Sequence, residues 1–163
     1  MIEAIESYLS GVNHPLAVFL ISMVPIVELR GAIPYGVGLG VEWYWSYILA
    51  VVGNMIPIPF IILFFRPIIE YLEKTKLFGT LARKLRNRTT NKMNGMNKYK
   101  VLGLYFFVAI PLPGTGAWTG AAIAALMKMR LKIALPTIVA GVASAGVIML
   151  AGSKIVEFLV KVF

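Results

Sequence analysis

The sequence contains no cysteine, which excludes disulfides, thiolate metal sites and a thiol nucleophile while leaving the compartment open. Histidine occurs once, as His14 before Pro15, where a structural role at a segment start is expected. No cluster with metal-ligand spacing, no phosphate-binding glycine loop and no hydrolytic triad can be assembled from the chain. Neither an enzyme nor a bound cofactor is therefore expected. Charge is scarce as well: 14% of the 163 residues are charged and 59% are hydrophobic, the balance of a membrane protein. Acids are the scarcer sign, 7 against 16 basic residues, for a net charge of +9. In a soluble protein that excess would point to nucleic acid. Here the basic residues flank hydrophobic spans, so membrane lipids are the expected partner and nucleic acid is not. Glu3 and Glu6 stand where a signal peptide would be positive, so no cleaved leader is expected.

Against this background the stretch from Pro25 to Pro34 is anomalous. It follows 21 uncharged residues, Ser7 to Val27, yet places Glu28 and Arg30 two positions apart. A charge at the bilayer centre costs at least ~2.5 kcal/mol. Pro25 and Pro34 each remove a helix hydrogen-bond donor, and Gly31, Gly36, Gly38 and Gly40 let the backbone bend and pack closely. The pattern predicts the tip of a hairpin that enters the membrane, turns and leaves on the same side. Such irregular backbone survives at depth only when protein or a wet cavity surrounds it. The alternative is a straight helix whose Glu-Arg pair snorkels to one membrane face as an anchor.

Along the chain, residues 1–9 have the spacing of a short interfacial amphipathic helix. Leu16 to Val24 spans roughly 13 Å as helix, too short for a core of about 30 Å, and Gly31 to Val41 forms a return arm of similar length. Trp43-Tyr-Trp45 reads as an interface belt opening a complete crossing from Trp43 to Phe65. Gly53-Asn54 and Pro57-Ile-Pro59 should kink that crossing; Asn54 is expected to hydrogen-bond across a helix interface, the alternative being that it faces a substrate path. Arg66 to Lys100 holds ten basic residues and two acidic ones, with Leu77, Leu81 and Leu85 marking a basic amphipathic helix on the membrane surface. Val101 to Met127 is uncharged but broken by Pro111-Leu-Pro-Gly-Thr-Gly116. The basic step Lys128, Arg130, Lys132 follows, then a second crossing from Ile133 to Ser153 and a short helical extension.

The two halves resemble each other. Pro25 falls on Pro111 and Phe19-Leu-Ile on Tyr105-Phe-Phe at a spacing of 86, and Ile68 to Lys74 falls on Ile155 to Lys161 at a spacing of 87. Each unit is a half-membrane hairpin followed by one crossing, so the units have opposite topology, the inverted repeat of secondary transporters. The expected fold is an all-α integral membrane protein with two re-entrant hairpins, each followed by a transmembrane helix. It forms one domain over 1–163: repeat 1 at about 14–74, a basic surface connector at 75–100, and repeat 2 at about 101–161. With hairpins, residues 66–100 and 128–132 lie on one side and hold 13 of the 16 basic residues; four plain spans would divide them. The positive-inside rule then places the connector in the cytoplasm, against anionic lipid head groups, in a multi-pass protein of the cell membrane.

Glu28-Leu-Arg-Gly-Ala-Ile-Pro34 together with Pro111-Leu-Pro-Gly-Thr-Gly-Ala-Trp-Thr-Gly120 resembles the small multidrug export protein family of bacteria and archaea, over nearly the whole chain. More distantly the chain resembles the DedA superfamily, whose two opposed re-entrant hairpins are implicated in moving phospholipids or polyprenyl phosphates between leaflets. The resemblance implies proton-linked transport with Glu28 as the acidic residue of the first hairpin. The superfamily's second hairpin carries arginines, where Gly114, Thr115 and Gly116 stand here, and that departure weakens the case for phosphate recognition.

The expected function is secondary transport, DedA-like translocation of a lipid or polyprenyl phosphate, coupled to protons through Glu28. The alternatives are proton- or cation-coupled export of small amphipathic drugs and a structural membrane protein. The candidate site comprises Glu28, Arg30 and Pro34 in the first hairpin and Pro111, Pro113, Gly114, Thr115, Gly116 and Trp118 in the second. Glu28 can exchange a proton, Arg30 can hold a phosphate or simply neutralise Glu28, and Gly114-Thr-Gly116 is either an anion-binding turn or only a turn. Small-residue faces are compatible with a homodimer.

Overall fold

The computed structural model describes residues 13–74, 97–112 and 114–162. The expected surface helices at 1–9 and around Leu77 to Leu85 lie outside them. Among the described residues all regular structure is helical: α1 His14–Ser22, α2 Glu28–Gly38, α3 Trp43–Met55, α4 Pro57–Lys74, α5 Asn97–Ala109, α6 Ala117–Leu126 and α7 Leu131–Val162. Two helical stretches are long and apolar enough to cross a membrane, Trp43–Ile68 and Leu131–Val160. The other four are shorter. α1 has 9 residues, α2 11, α5 13 and α6 10, or about 13–20 Å of helix against a hydrocarbon core of about 30 Å.

The expected kink is present and has a local cause. α3 and α4 are separated at Ile56, whose N–H reaches back three residues to the Gly53 carbonyl at 3.3 Å. Pro57 has no N–H to offer that carbonyl, and Pro59 has none for Met55. Both prolines are instead well suited to the first turn of α4. α4 continues through Pro67 to Lys74 rather than ending near Arg66, where the charged run begins.

The chain forms two compact units, one comprising Met1–Ile56 with Val142–Phe163 and the other Pro57–Gly141. In the first, α1 and α2 pack on each other and both pack on α3. The contact faces follow from small and branched residues one helical turn apart. Ala17, Val18, Ile21 and Ser22 are buried on α1; Glu28, Leu29, Ala32, Ile33 and Gly36 on α2; and Ser46, Ala50, Gly53 and Asn54 on α3. Close approach needs glycine at Gly53, where a Cβ would collide with the Phe19 carbonyl oxygen and the Ser22 hydroxyl. Tyr47 donates its hydroxyl to the Ala143 carbonyl at 3.1 Å, and the Lys154 ammonium lies 5.1 Å above the Trp43 ring.

In the second unit, α6 presents a stripe of Ala117, Gly120, Ala121, Ala124 and Ala125, against which α4 packs, and α5 pairs with α6 as a hairpin. Leu104 and Val108 of α5 are buried, as are Ala134 and Ile138 of α7. Gly141 plays the part Gly53 plays in the first unit. A Cβ there would stand 3.1 Å from the Tyr105 carbonyl oxygen and 2.7 Å from Val108 Cβ. The large apolar side chains left outside, among them Phe60, Phe64, Leu102 and Leu126, are too extensive for a water-facing surface and suit lipid.

Candidate functional site

The first hairpin closes through a tight turn. Met23 and Val24 end α1 with three-residue hydrogen bonds to Leu20 and Ile21, and the Val24 carbonyl then accepts from both Val27 (3.2 Å) and Glu28 (2.8 Å). Pro25 and Ile26 form the outermost point, and Ile26 is 84% exposed. The chain enters α2 at Glu28 with φ +50°, the left-handed region. A non-glycine residue there costs on the order of 1–2 kcal/mol, since its Cβ crowds the following carbonyl. Glu28 is also only 5% exposed. A strained backbone and a buried carboxylate thus coincide in one residue of a hairpin whose other charged residue is Arg30.

Two features make this position tolerable. The carboxylate stands in the first turn of α2, where unpaired N–H groups present a partial positive charge. Arg30 is half-buried and close enough for its guanidinium and the Glu28 carboxylate to attract one another. Pro34, one turn further, has no N–H for the Arg30 carbonyl, so the proline falls inside α2 at the point where the pair sits.

Asn54 is a third polar group at this level. Gly36 of α2 lies against Ser46 of α3. From that contact Glu28 is eight residues back along α2 and Asn54 eight residues forward along α3, about 12 Å in each helix. The two helices run antiparallel after the short loop at 39–42, so both displacements lead to the same depth. Asn54 is fully buried, and neither its amide nitrogen nor its oxygen has a hydrogen-bond partner among the described residues. Among the described residues none makes the expected bond across a helix interface.

The second hairpin turns between Ile110 and Gly116, and this turn carries no charged group. Pro111 is half-buried, and Pro113 lies outside the described residues. Gly114 at φ +79° and Gly116 at φ +142° supply the left-handed backbone the turn needs. Thr115 closes it. Its Oγ1 accepts from the Leu112 N–H at 3.2 Å and its proton points between the carbonyls of Ile110 (2.9 Å) and Leu112 (2.8 Å). The hydroxyl is committed to the turn, which favours the tight-turn reading over an anion site. Trp118, half-buried, begins α6 after Ala117.

Of the nine residues singled out from sequence, the eight that the structure describes fall into two groups. Glu28, Arg30 and Pro34 lie together in the first unit. Pro111, Gly114, Thr115, Gly116 and Trp118 lie together in the second. Among the described residues no group of acids and histidines could hold a metal ion. Chemically the first hairpin offers a carboxylate and a guanidinium, and α3 of the same unit adds a buried carboxamide, enough to exchange a proton and to hold one polar group.

Residues 28–148 match the protein family described as "Putative small multi-drug export protein". The chain belongs to this small multidrug export family. The match begins at Glu28 itself, runs through the first crossing stretch and the second hairpin, and ends within the second crossing stretch. No curated protein and no solved structure matches the chain. Family membership and the apolar helices together make it a membrane protein of a transport family.

Proposed function

We propose that this chain is a secondary transporter that moves a lipid or polyprenyl phosphate across the bilayer, with proton exchange at Glu28 as the coupling step. The observation that carries the reading is Glu28 itself: a buried acid held in left-handed backbone inside a hydrophobic hairpin. Strain and buried charge of this kind are maintained at sites of function, because a plain anchor has cheaper solutions.

The proposed architecture is an inverted repeat of two re-entrant hairpins, each followed by one crossing. Three facts support it. The helices of both hairpins are too short to cross. Gly53 and Gly141 seat each crossing helix on the carbonyl of Phe19 and Tyr105, residues that correspond between the halves. The basic residues segregate to one side only in this topology. A broken helix near the membrane midplane is where such transporters bind substrate and coupling ion.

A second reading, proton-coupled export of small amphipathic drugs, is favoured by the family description. One experiment separates the two and tests both. Purified protein in vesicles with an imposed proton gradient is assayed with a fluorescent polyprenyl phosphate and, separately, with ethidium. Glu28→Gln keeps shape and hydrogen bonding but abolishes proton exchange, and it should eliminate gradient-driven transport of the lipid. Gradient-driven movement of ethidium alone would select the drug reading. Lipid transport by Glu28→Gln at the wild-type rate would reduce the pair to architecture.

A further inference from the structure

The loop joining α6 to α7 is built in a way that its own backbone does not favour. α6 ends in a pair of reverse bonds, Lys128 N–H to the Ala125 carbonyl and Met129 N–H to the Ala124 carbonyl, each 3.0 Å. This closing motif places one residue in left-handed backbone and is normally completed by glycine. Here the residue is Lys128, at φ +51°. Met129 is buried, and its carbonyl accepts from the Arg66 guanidinium, so the loop is pinned from both ends.

The outcome of that geometry is a cleft of about 270 Å³ within the second unit. Lys100, Lys128 and Arg130 supply three cations to its wall, and Val101, Met127 and Ile133 supply apolar surface. Among the described residues no acid lines it, and between Glu73 and Glu157 the sequence has no acidic residue. α7 starts at the same place. Ile133 and Ala134 both donate to the Arg130 carbonyl at 2.9 Å, so the N–H groups of Leu131 and Lys132 precede the first intrahelical bond. The positive end of a 32-residue helix therefore adds to the cationic wall. Next in sequence to the lining residues Val101 and Met127, Leu102 and Leu126 are each more than half exposed.

We propose that this cleft is a binding site for the phosphate of an anionic lipid head group. Three cations and a helix N-terminus match a phosphate in charge and donor supply. The apolar half of the wall, with exposed Leu102 and Leu126 beside it in sequence, fits the glycerol and upper acyl chain better than it fits a free anion in water. Lys128 is the key position: glycine would complete the loop at lower backbone cost, and lysine adds a cation to the cleft. None of the residues lining the cleft belongs to the Glu28 hairpin, and the proposal does not depend on the transport reading.

The test uses the full chain in a neutral detergent, titrated with phosphatidylglycerol and with zwitterionic phosphatidylcholine and read by native mass spectrometry. Wild type should retain phosphatidylglycerol at least tenfold better than phosphatidylcholine. Lys128→Gly and Arg130→Gln should each weaken that binding about fivefold, the effect of removing one surface cation at roughly 1 kcal/mol. Lys128→Gly should melt no lower than wild type, because glycine accepts the backbone conformation. Removing the same two charges elsewhere, by Lys154→Gln and Lys161→Gln, should leave binding intact. Equal retention of the two lipids would overturn the proposal, as would wild-type binding by the Lys128→Gly/Arg130→Gln protein. If inorganic phosphate displaced the lipid completely with equal affinity, the cleft would be a free-phosphate site and the lipid assignment would fall.

Discussion

Replacing Asn54 with leucine should stabilise this protein. The Asn54 carboxamide is fully buried and neither of its polar ends is hydrogen-bonded by a described residue. Leaving a buried polar group unsatisfied costs about 1–3 kcal/mol, and replacing it with an apolar group of similar shape removes that cost. Within a membrane the gain shrinks, because polar groups of the unfolded chain also find partners there and typical interhelical hydrogen bonds are worth roughly 0.6 kcal/mol. The expected gain for Asn54→Leu is therefore about 1 kcal/mol. Asn54→Ala should come out near zero, since the cavity left on α3 offsets the polar gain. Asn54→Asp should be clearly worse than wild type, because it buries a second carboxylate at the depth of Glu28. Reversible unfolding in bicelles measures all three. A loss of 1 kcal/mol or more in Asn54→Leu would show that the carboxamide holds a structural bond, and the reasoning would fail. If the more stable Asn54→Leu protein also transports poorly, the polar group is maintained at the expense of stability for the sake of the Glu28 site.

The remaining expectations concern the two turns. Arg30→Ala should destabilise by about 3 kcal/mol, the low end for breaking a buried pair because Arg30 is only half-buried, and Glu28→Gln/Arg30→Ala should recover most of it; thermal unfolding of the three proteins checks this. Arg30→Lys should fold normally but transport poorly if the guanidinium fork grips phosphate, which vesicle assays would read directly. Thr115→Val should lower stability by about 1–2 kcal/mol through loss of the hydroxyl bonds that close the second turn, whereas Thr115→Ser should be nearly neutral.

Much of the helical layout was legible because its causes are local. Proline without an N–H at 57 and 59 dictates the break at Ile56, and uncharged runs delimit the crossing helices. The pairing of Glu28 with Arg30 is likewise a matter of spacing in sequence. What escaped the sequence is set by packing. The left-handed backbone of Glu28 arises from the closure of a particular hairpin, and nothing in residue type announces it. Asn54 reads as an interhelical hydrogen bond, yet no described residue provides a partner for it. Arg66 opens a charged run that suggests a helix end. Instead α4 continues, and the guanidinium reaches a carbonyl 63 positions away. Lys128 lies in a basic step whose charge was plain, but only the fold shows that it occupies a glycine's place.

The central claim is that each hairpin enters and leaves by one face, and it can be tested without knowing the substrate. The chain has no cysteine, so single cysteines need no altered background. Tyr99→Cys precedes the second hairpin and Arg130→Cys follows it, and both positions are exposed. In oriented vesicles a membrane-impermeant maleimide should label both from the same face, the cytoplasmic one. Labelling of the two from opposite faces would establish plain spanning helices and contradict the account.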